Sequence, residues 1–294
     1  MTHETAQEGA VLGTIVVGVD GREGGRDAIA LAARLALLAR GEVVAVRVVP
    51  AGSPPDAAAA EAEAWGELID ELAEARLGAD VRVVCAASPA RGLHRIAEEE
   101  RADAIVVGST RQGRIGRVLA GDDVAATLRG APCAVAVAPR GFAAADGARI
   151  RRIGVGFDGG AEARQAFDLA AALGRECDAP IVLRSVVGTP IAAPDVTAYA
   201  RLESRQQAEY AALAELHEVF AAVDADATGE VRVGSPVEEL VALSTDVEVL
   251  VVGSRGWGAL RRLLLGSTST ALTRKARCPV LVLPRGAAAE RAPA

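Results

Sequence analysis

The sequence predicts an α/β chain built as two tandem, doubly wound, open parallel sheets of about five strands each, flanked by helices. Three observations carry that expectation. The chain repeats one unit: "TIVVGVDG" at Thr14–Gly21 returns as "RIGVGFDG" at Arg152–Gly159, "IVVGS" at Ile105–Ser109 as "LVVGS" at Leu250–Ser254, and "AVAPRG" at Ala136–Gly141 is echoed by "VLPRG" at Val282–Gly286. Within each unit, short Val/Ile/Leu runs alternate with segments of helical periodicity. The runs are apolar at consecutive positions, as parallel strands covered on both faces must be.

In the first unit, strands are expected near Thr14–Val19, Glu42–Val49, Val81–Cys85, Ala104–Val107 and Ala134–Ala138. Between them, Trp65, Leu68, Ile69 and Leu72 recur at i, i+3, i+4, i+7 and predict one apolar face of a helix. In the second unit, Ser235, Pro236 and Glu238 predict a helix start, with Ser as N-cap, Pro at the first helical position and Glu closing a capping box. The second unit is about seven residues longer, the gain falling around Gly188 to Ala200. Right-handed crossovers turn this alternation into a Rossmann-like arrangement in each unit. Periodicity lapses between Arg140 and Ile150, which sets the domains at 1–145 and 146–294.

The 294 residues, 51% hydrophobic but 3% aromatic, suffice for two Ala/Val/Leu cores. A formal charge of -7 argues against nonspecific binding of nucleic acid or an anionic membrane. The N-terminal stretch has no basic or apolar leader pattern, and no apolar run reaches membrane-spanning length, so the chain reads as cytoplasmic. Cys85, Cys133, Cys177 and Cys278 form no CxxC pair and sit in or beside apolar runs, which predicts buried reduced thiols. His217 shares a helical face with Leu213, Leu216 and Phe220 and is expected in the core, while His3 and His94 lack partners at metal-ligand spacing.

The most specific stretch is "GSRGWGALRRLLLGSTST", Gly253 to Thr270. In an open α/β sheet the ligand crevice lies at the carboxyl ends of the strands, where strand order reverses. If the first and fourth strands of a unit are central neighbours, Asp158 and Gly253 mark that place in the second unit. Glycines let backbone N–H groups approach an anion, a helix N-terminus adds partial positive charge, and first-turn hydroxyls can donate to phosphate oxygens. No GxxxxGK[ST] occurs in the chain, so any phosphate site works without a Walker lysine. The competing reading is structural: an ordinary βα loop at Gly253 and Gly256, and helix caps at Ser267 and Asp158. Trp257, Arg261 and Arg262 in the loop admit ligand and packing roles alike.

These residues resemble the universal stress proteins, whose ATP-binding members carry G-2x-G-9x-G-[ST]. Gly253, Gly256, Gly266 and Ser267 match it without a gap, and the "VGVDG", "VGFDG", "VVGS" and "CPVLVLP" segments extend the resemblance over both units. The resemblance implies a tandem member that binds ATP, with Mg²⁺ optional. It places Asp158 near adenine or ribose and Val186 near adenine. Val252, Gly253, Arg255 and Gly256 would line the triphosphate loop, and Gly266, Ser267, Thr268 and Ser269 would close over the phosphates. It implies further that the last strands, Ala134–Ala138 and Val280–Leu283, otherwise bare sheet edges, pair within the chain as a pseudo-twofold internal dimer. A homodimer beyond that stays open.

The first unit keeps Gly108 and Gly121 but has Arg111 in place of Gly256 and Asp122 in place of Ser267, with Asp123 next to it. A bulky side chain and a carboxylate both oppose phosphate, and Arg111, Arg114 or Arg117 is expected to pair with Asp122 or Asp123 and fill the place. The leading expectation is a nucleotide-binding regulatory protein with an unidentified protein partner, and not an enzyme, because only Asp158 stands near the loop as a general base. The alternatives are an interaction scaffold without nucleotide and a slow ATPase or adenylate-handling enzyme, whose SGGxDS or HxGH signatures the chain lacks.

Overall fold

The computed structural model describes residues 11–20, 23–53, 79–109, 122–144, 149–188, 198–223, 225–254 and 266–284. The first half runs β1 (Thr14–Val19), α1 (Glu23–Ala39), β2 (Glu42–Pro50), β3 (Ala79–Ala86), α2 (Pro89–Glu99), β4 (Ala104–Gly108), α3 (Asp122–Leu128) and β5 (Ala134–Ala138). The second runs β6 (Ile153–Phe157), α4 (Ala161–Cys177), β7 (Ile181–Val187), α5 (Ala198–Ala222), β8 (Ala227–Val233), α6 (Pro236–Leu243), β9 (Val249–Gly253), α7 (Ser267–Lys275) and β10 (Val280–Leu283). The expected helix around Trp65, Leu68, Ile69 and Leu72 lies outside the described residues.

All ten strands form one sheet in the order β3-β2-β1-β4-β5-β10-β9-β6-β7-β8. Within each half the strands are parallel, and the first and fourth of each are central neighbours, β1 against β4 and β6 against β9. The halves meet where β10 pairs antiparallel with β5, Val280 opposite Val137 and Val282 opposite Val135. Every residue of both strands is buried. Because successive side chains point to opposite faces, Ala136, Ala138, Leu281 and Leu283 join one core while Val135, Val137, Val280 and Val282 join the other. Each core therefore runs unbroken from one half into the other.

Two polar devices recur or fix the join. Asp103, just before β4, accepts from the backbone N–H groups of Gly13 (2.7 Å) and Thr14 (3.1 Å), and Glu248, just before β9, accepts from Arg151 (3.1 Å) and Arg152 (2.7 Å). Asp27 on α1, only 1% exposed, accepts from Gly141 and Ala143, each at 2.9 Å. The start of the connection between the halves is thus tied to the first half, and the Arg34 guanidinium lies 4.6 Å over the Phe142 ring.

Ser235 caps α6 as its sequence predicts, its hydroxyl accepting from the Glu238 N–H at 3.5 Å, with Pro236 at the first helical position. Two expectations are corrected. Cys85 is exposed, because it lies on the edge strand β3, whereas Cys133, Cys177 and Cys278 are buried. His217 is exposed, because α5 buries Ala212, Leu216 and Val219, a stripe rotated away from half-exposed Leu213.

The seam between β5 and β10 gives a direct prediction. Ala136→Asp places an unpaired carboxylate opposite Leu281 at a site 1% exposed and should destabilise the protein by more than about 3 kcal/mol. Urea denaturation checks this, and an unchanged midpoint would show that the halves are held together elsewhere.

Candidate functional site

Each half sends its helices to opposite faces from its two central strands. After β6 the chain enters α4, whose Ala163, Ala166 and Phe167 join one core, and after β9 it reaches α7, whose Leu272 joins the other. The chain splits at the carboxyl ends of β6 and β9, and a crevice opens there. It is a cavity of about 930 Å³ lined by Asp158, Val186, Val252, Gly253, Gly266, Ser267, Thr268 and Ser269, together with Glu162, Arg184, Pro236 and Leu240. Eight of the ten residues picked from sequence thus surround one space. The other two, Arg255 and Gly256, lie outside the described residues, as do Trp257, Arg261 and Arg262.

At one wall stands the N-terminus of α7, with Gly266 as N-cap (φ -60°, ψ 147°). The Thr270 N–H donates to Gly266 O at 3.0 Å, the i to i−4 bond that begins the helical ladder. The N–H groups of Ser267, Thr268 and Ser269 precede that ladder, so they are the donors a helix start leaves for a cap, water or anion. The hydroxyls divide in role. Those of Ser269 and Thr270 donate to Gly266 O at 3.2 and 2.9 Å and hold the cap, which leaves Ser267 and Thr268 as the hydroxyls at the cavity face.

Gly253 and Asp158 have local reasons as well. A Cβ on Gly253 would stand 2.7 Å from the Glu162 Cβ, so the glycine lets the first turn of α4 close on the end of β9. The first half repeats this approach with Gly108 against Gly24. Asp158 accepts from the Gly160 N–H at 2.9 Å, shaping the turn in which Gly159 takes φ +76°. The carboxylate therefore orders the turn into α4 while it borders the cavity.

Arg184 is one of the lining residues that motif reading missed, with Glu162, Pro236 and Leu240. It is 7% exposed in the middle of β7; its Nε and Nη2 donate to Glu230 Oε2 on β8 at 3.2 and 2.8 Å, and its Nη1 donates to Glu239 O on α6 at 2.8 Å. Burial works against the ionised Glu230 carboxyl, but the Arg184 and Arg232 guanidiniums outweigh it and hold that carboxyl below the usual glutamate range. The signal was legible: one arginine interrupts the run "IVLRSVV", and a charge inside a buried strand needs a partner.

The corresponding crevice of the first half is about 380 Å³, lined by Asp20, Val46, Val48, Gly108, Ser109 and Asp123 among others. Asp122 is the first residue of α3, at the place Ser267 holds in α7. Arg111, Arg114, Arg117 and Gly121 lie outside the described residues, and so does the expected pairing of those arginines with Asp122 or Asp123. His94 approaches Thr127 O at 2.7 Å through Nε2. Among the described residues no group of three His, Cys, Asp or Glu side chains could hold a metal, and no helix is long and apolar enough to cross a membrane.

Over residues 12–139 and 149–284 the chain matches the model of the universal stress protein family. A universal stress protein of Mycobacterium tuberculosis is 27% identical over 294 residues, covering 92% of this chain and 99% of the relative. One from Mycolicibacterium smegmatis is 35% identical over 136 residues, 44% of this chain and 46% of the relative, so that match spans about half of each. A solved universal stress protein from Archaeoglobus fulgidus has the same fold, with a TM-score of 0.72 at 19% identity over 93% of this chain and 98% of that one.

Two outcomes follow from these contacts. Gly253→Ala must displace the first turn of α4 and should cost about 1–3 kcal/mol, read from a urea midpoint. An unchanged midpoint would mean that the turn yields freely. The Glu230 carboxyl is depressed in the folded state, so its contribution is complete above the usual value of 4.5 and is lost as pH falls through the lower folded value. The thermal midpoints of wild type and Glu230→Gln should therefore differ near neutrality and converge in acid below pH 4.5. A gap independent of pH would contradict the pairing.

Proposed function

The chain belongs to the universal stress protein family, and from that premise we propose that its second half binds an adenine nucleotide, ATP in the first instance, as a regulatory ligand. The observation that carries the reading is the convergence of eight of the ten residues picked from sequence, three of them motif residues, on one cavity of about 930 Å³, within the size range of small-molecule sites. The donor set suits an anion: three N–H groups at the start of α7, two hydroxyls beside them, and the partial positive charge of the helix end.

In this reading the phosphates lie against Gly266, Ser267, Thr268 and Ser269, with Val252, Gly253, Arg255 and Gly256 completing the loop. The base lies toward Val186, and Asp158 takes the ribose or adenine. Mg²⁺, where it takes part, enters with the triphosphate. Two carboxylates border the cavity, Asp158, which is engaged in its own turn, and Glu162 at the start of α4, and in this reading the role is occupancy rather than turnover. The site serves a cytoplasmic regulatory protein in a stress response, whose partner distinguishes the loaded from the empty state.

The first half takes a different part. A carboxylate about 4 Å from a phosphate charge at an effective dielectric of about 20 costs roughly 4 kcal/mol, close to three decades of affinity. With Asp122 at the helix start and a crevice of about 380 Å³, that half serves as scaffold or partner surface.

Calorimetric titration of nucleotide-stripped protein with ATP, with and without Mg²⁺, should give one site per chain. Ser267→Asp, which imports the first half's residue, should weaken it by at least about 100-fold. Two sites per chain would contradict the assignment of the halves, and no binding would leave the scaffold reading for both.

A further inference from the structure

α5 (Ala198–Ala222) is longer than the strands it covers. Its 25 residues extend about 37 Å at about 1.5 Å each, whereas β7 and β8, with 7 residues apiece, run about 23 Å. Only its C-terminal half is seated: Ala212, Leu216 and Val219 are buried, and the helix packs on β7 and β8. Glu215 anchors the same half, its carboxylate lying where a Cβ on Gly159 would stand. From Tyr199 to Ala211 no residue is buried.

That overhanging stretch and the turn after it carry an apolar stripe. Of the five large hydrophobic side chains exposed among the described residues, four belong to α5: Tyr199 (70%), Leu202 (48%), Tyr210 (73%) and Leu213 (50%). At about 100° per residue these four and Gln206 fall within about 80° of one another, beside the buried face rather than on it. A helical stretch this short is marginal in water unless its apolar side is packed.

The order of the stripe points to what packs on it. Leu202 and Tyr210 lie four residues to either side of Gln206, and Tyr199 and Leu213 lie seven, so each tyrosine is matched by a leucine at the same distance. An antiparallel two-fold contact crossing at Gln206 sets Tyr210 against the partner's Leu202 and Tyr199 against the partner's Leu213. The charges agree with that direction. Arg205 and Glu209 pair within the helix at 2.8 Å along one flank of the stripe. The two-fold brings Glu209 beside the partner's Arg205, whereas a parallel contact would oppose like charges. A lipid surface fits poorly: α5 carries Arg201 and Arg205 against Glu203, Glu209, Glu215 and Glu218, and helices that lie on membranes are basic on their polar face.

We propose that the overhanging half of α5 docks a second copy of this chain in an antiparallel two-fold contact centred on Gln206. It is separate from the seam between β5 and β10, which joins halves within one chain, and it does not depend on the nucleotide reading. A single helix stripe is smaller than the roughly 800 Å² per partner of a standard interface, so the dimer is reversible and forms at about micromolar concentration.

Sedimentation equilibrium of the full chain from about 1 to 200 µM should show the dimer forming within that range. Tyr210→Arg, at an exposed side chain, should weaken it at least about tenfold with an unchanged urea midpoint. A dimer that survives Tyr210→Arg undiminished is held by another surface and overturns the proposal. A wild type that stays monomeric overturns it as well; co-sedimentation of that monomer with phosphatidylglycerol vesicles would give the stripe to a lipid surface, and its absence to a protein of another sequence.

The direction of the contact is read by cross-linking. In a Cys85→Ser background the other three cysteines are buried, and Gln206→Cys places one thiol from each copy at the two-fold. Oxidation with copper phenanthroline should yield covalent dimer several times faster than it does for Ser204→Cys, on the opposite face of the same turn. Equal rates overturn the antiparallel contact.

Discussion

The structure depends on the antiparallel contact between β5 and β10. Each is the last strand of its half, apolar along its whole length, and left alone each would be a bare edge open to pairing with another chain. Joined, they satisfy each other's backbone groups and merge the cores on both faces of the sheet. The pairing also fixes the two crevices on one body, so that one scaffold presents two copies of the same strand ends with different side chains around them.

Those differences are few and physically pointed. At the helix start beside β4 and β9, one half has Asp122 in sequence where the other has Ser267. Beneath the neighbouring helix, one half has Val46 and the other Arg184, which puts a buried ion pair with Glu230 where the first half has an apolar side chain. The backbone frame is held constant by devices that recur, the glycine contacts at Gly108 and Gly253 and the carboxylates Asp103 and Glu248 at the strand starts.

Much of this was legible in the residues. The strands of the first half were readable because short consecutive apolar runs between helical segments suit a parallel sheet covered on both faces, and the need to cover an apolar edge was legible too, while its partner, the other half's last strand, came from the family resemblance. Eight of the ten residues that the resemblance named line one cavity, and Gly253, which matched a phosphate motif, has a packing constraint of its own in Glu162 of α4. His217 was misplaced because helical periodicity favoured the large Leu213, while contact with β7 and β8 selects the small Ala212. Cys85 was misplaced because an apolar run does not say whether its strand lies at an edge. Arg184 was missed because its meaning depends on Glu230 and Glu239, 46 and 55 residues away, which only the folded sheet brings to it.

The central claim is that the start of α7, and not the start of α3, receives phosphate. Amide hydrogen exchange at residue resolution, with and without saturating ATP, tests it most directly. The account predicts new protection at Ser267, Thr268 and Ser269, whose N–H groups precede the first helical bond, with no change at Asp123 and Val124. Protection at α3, or none at α7 under conditions where ATP binds, would contradict it.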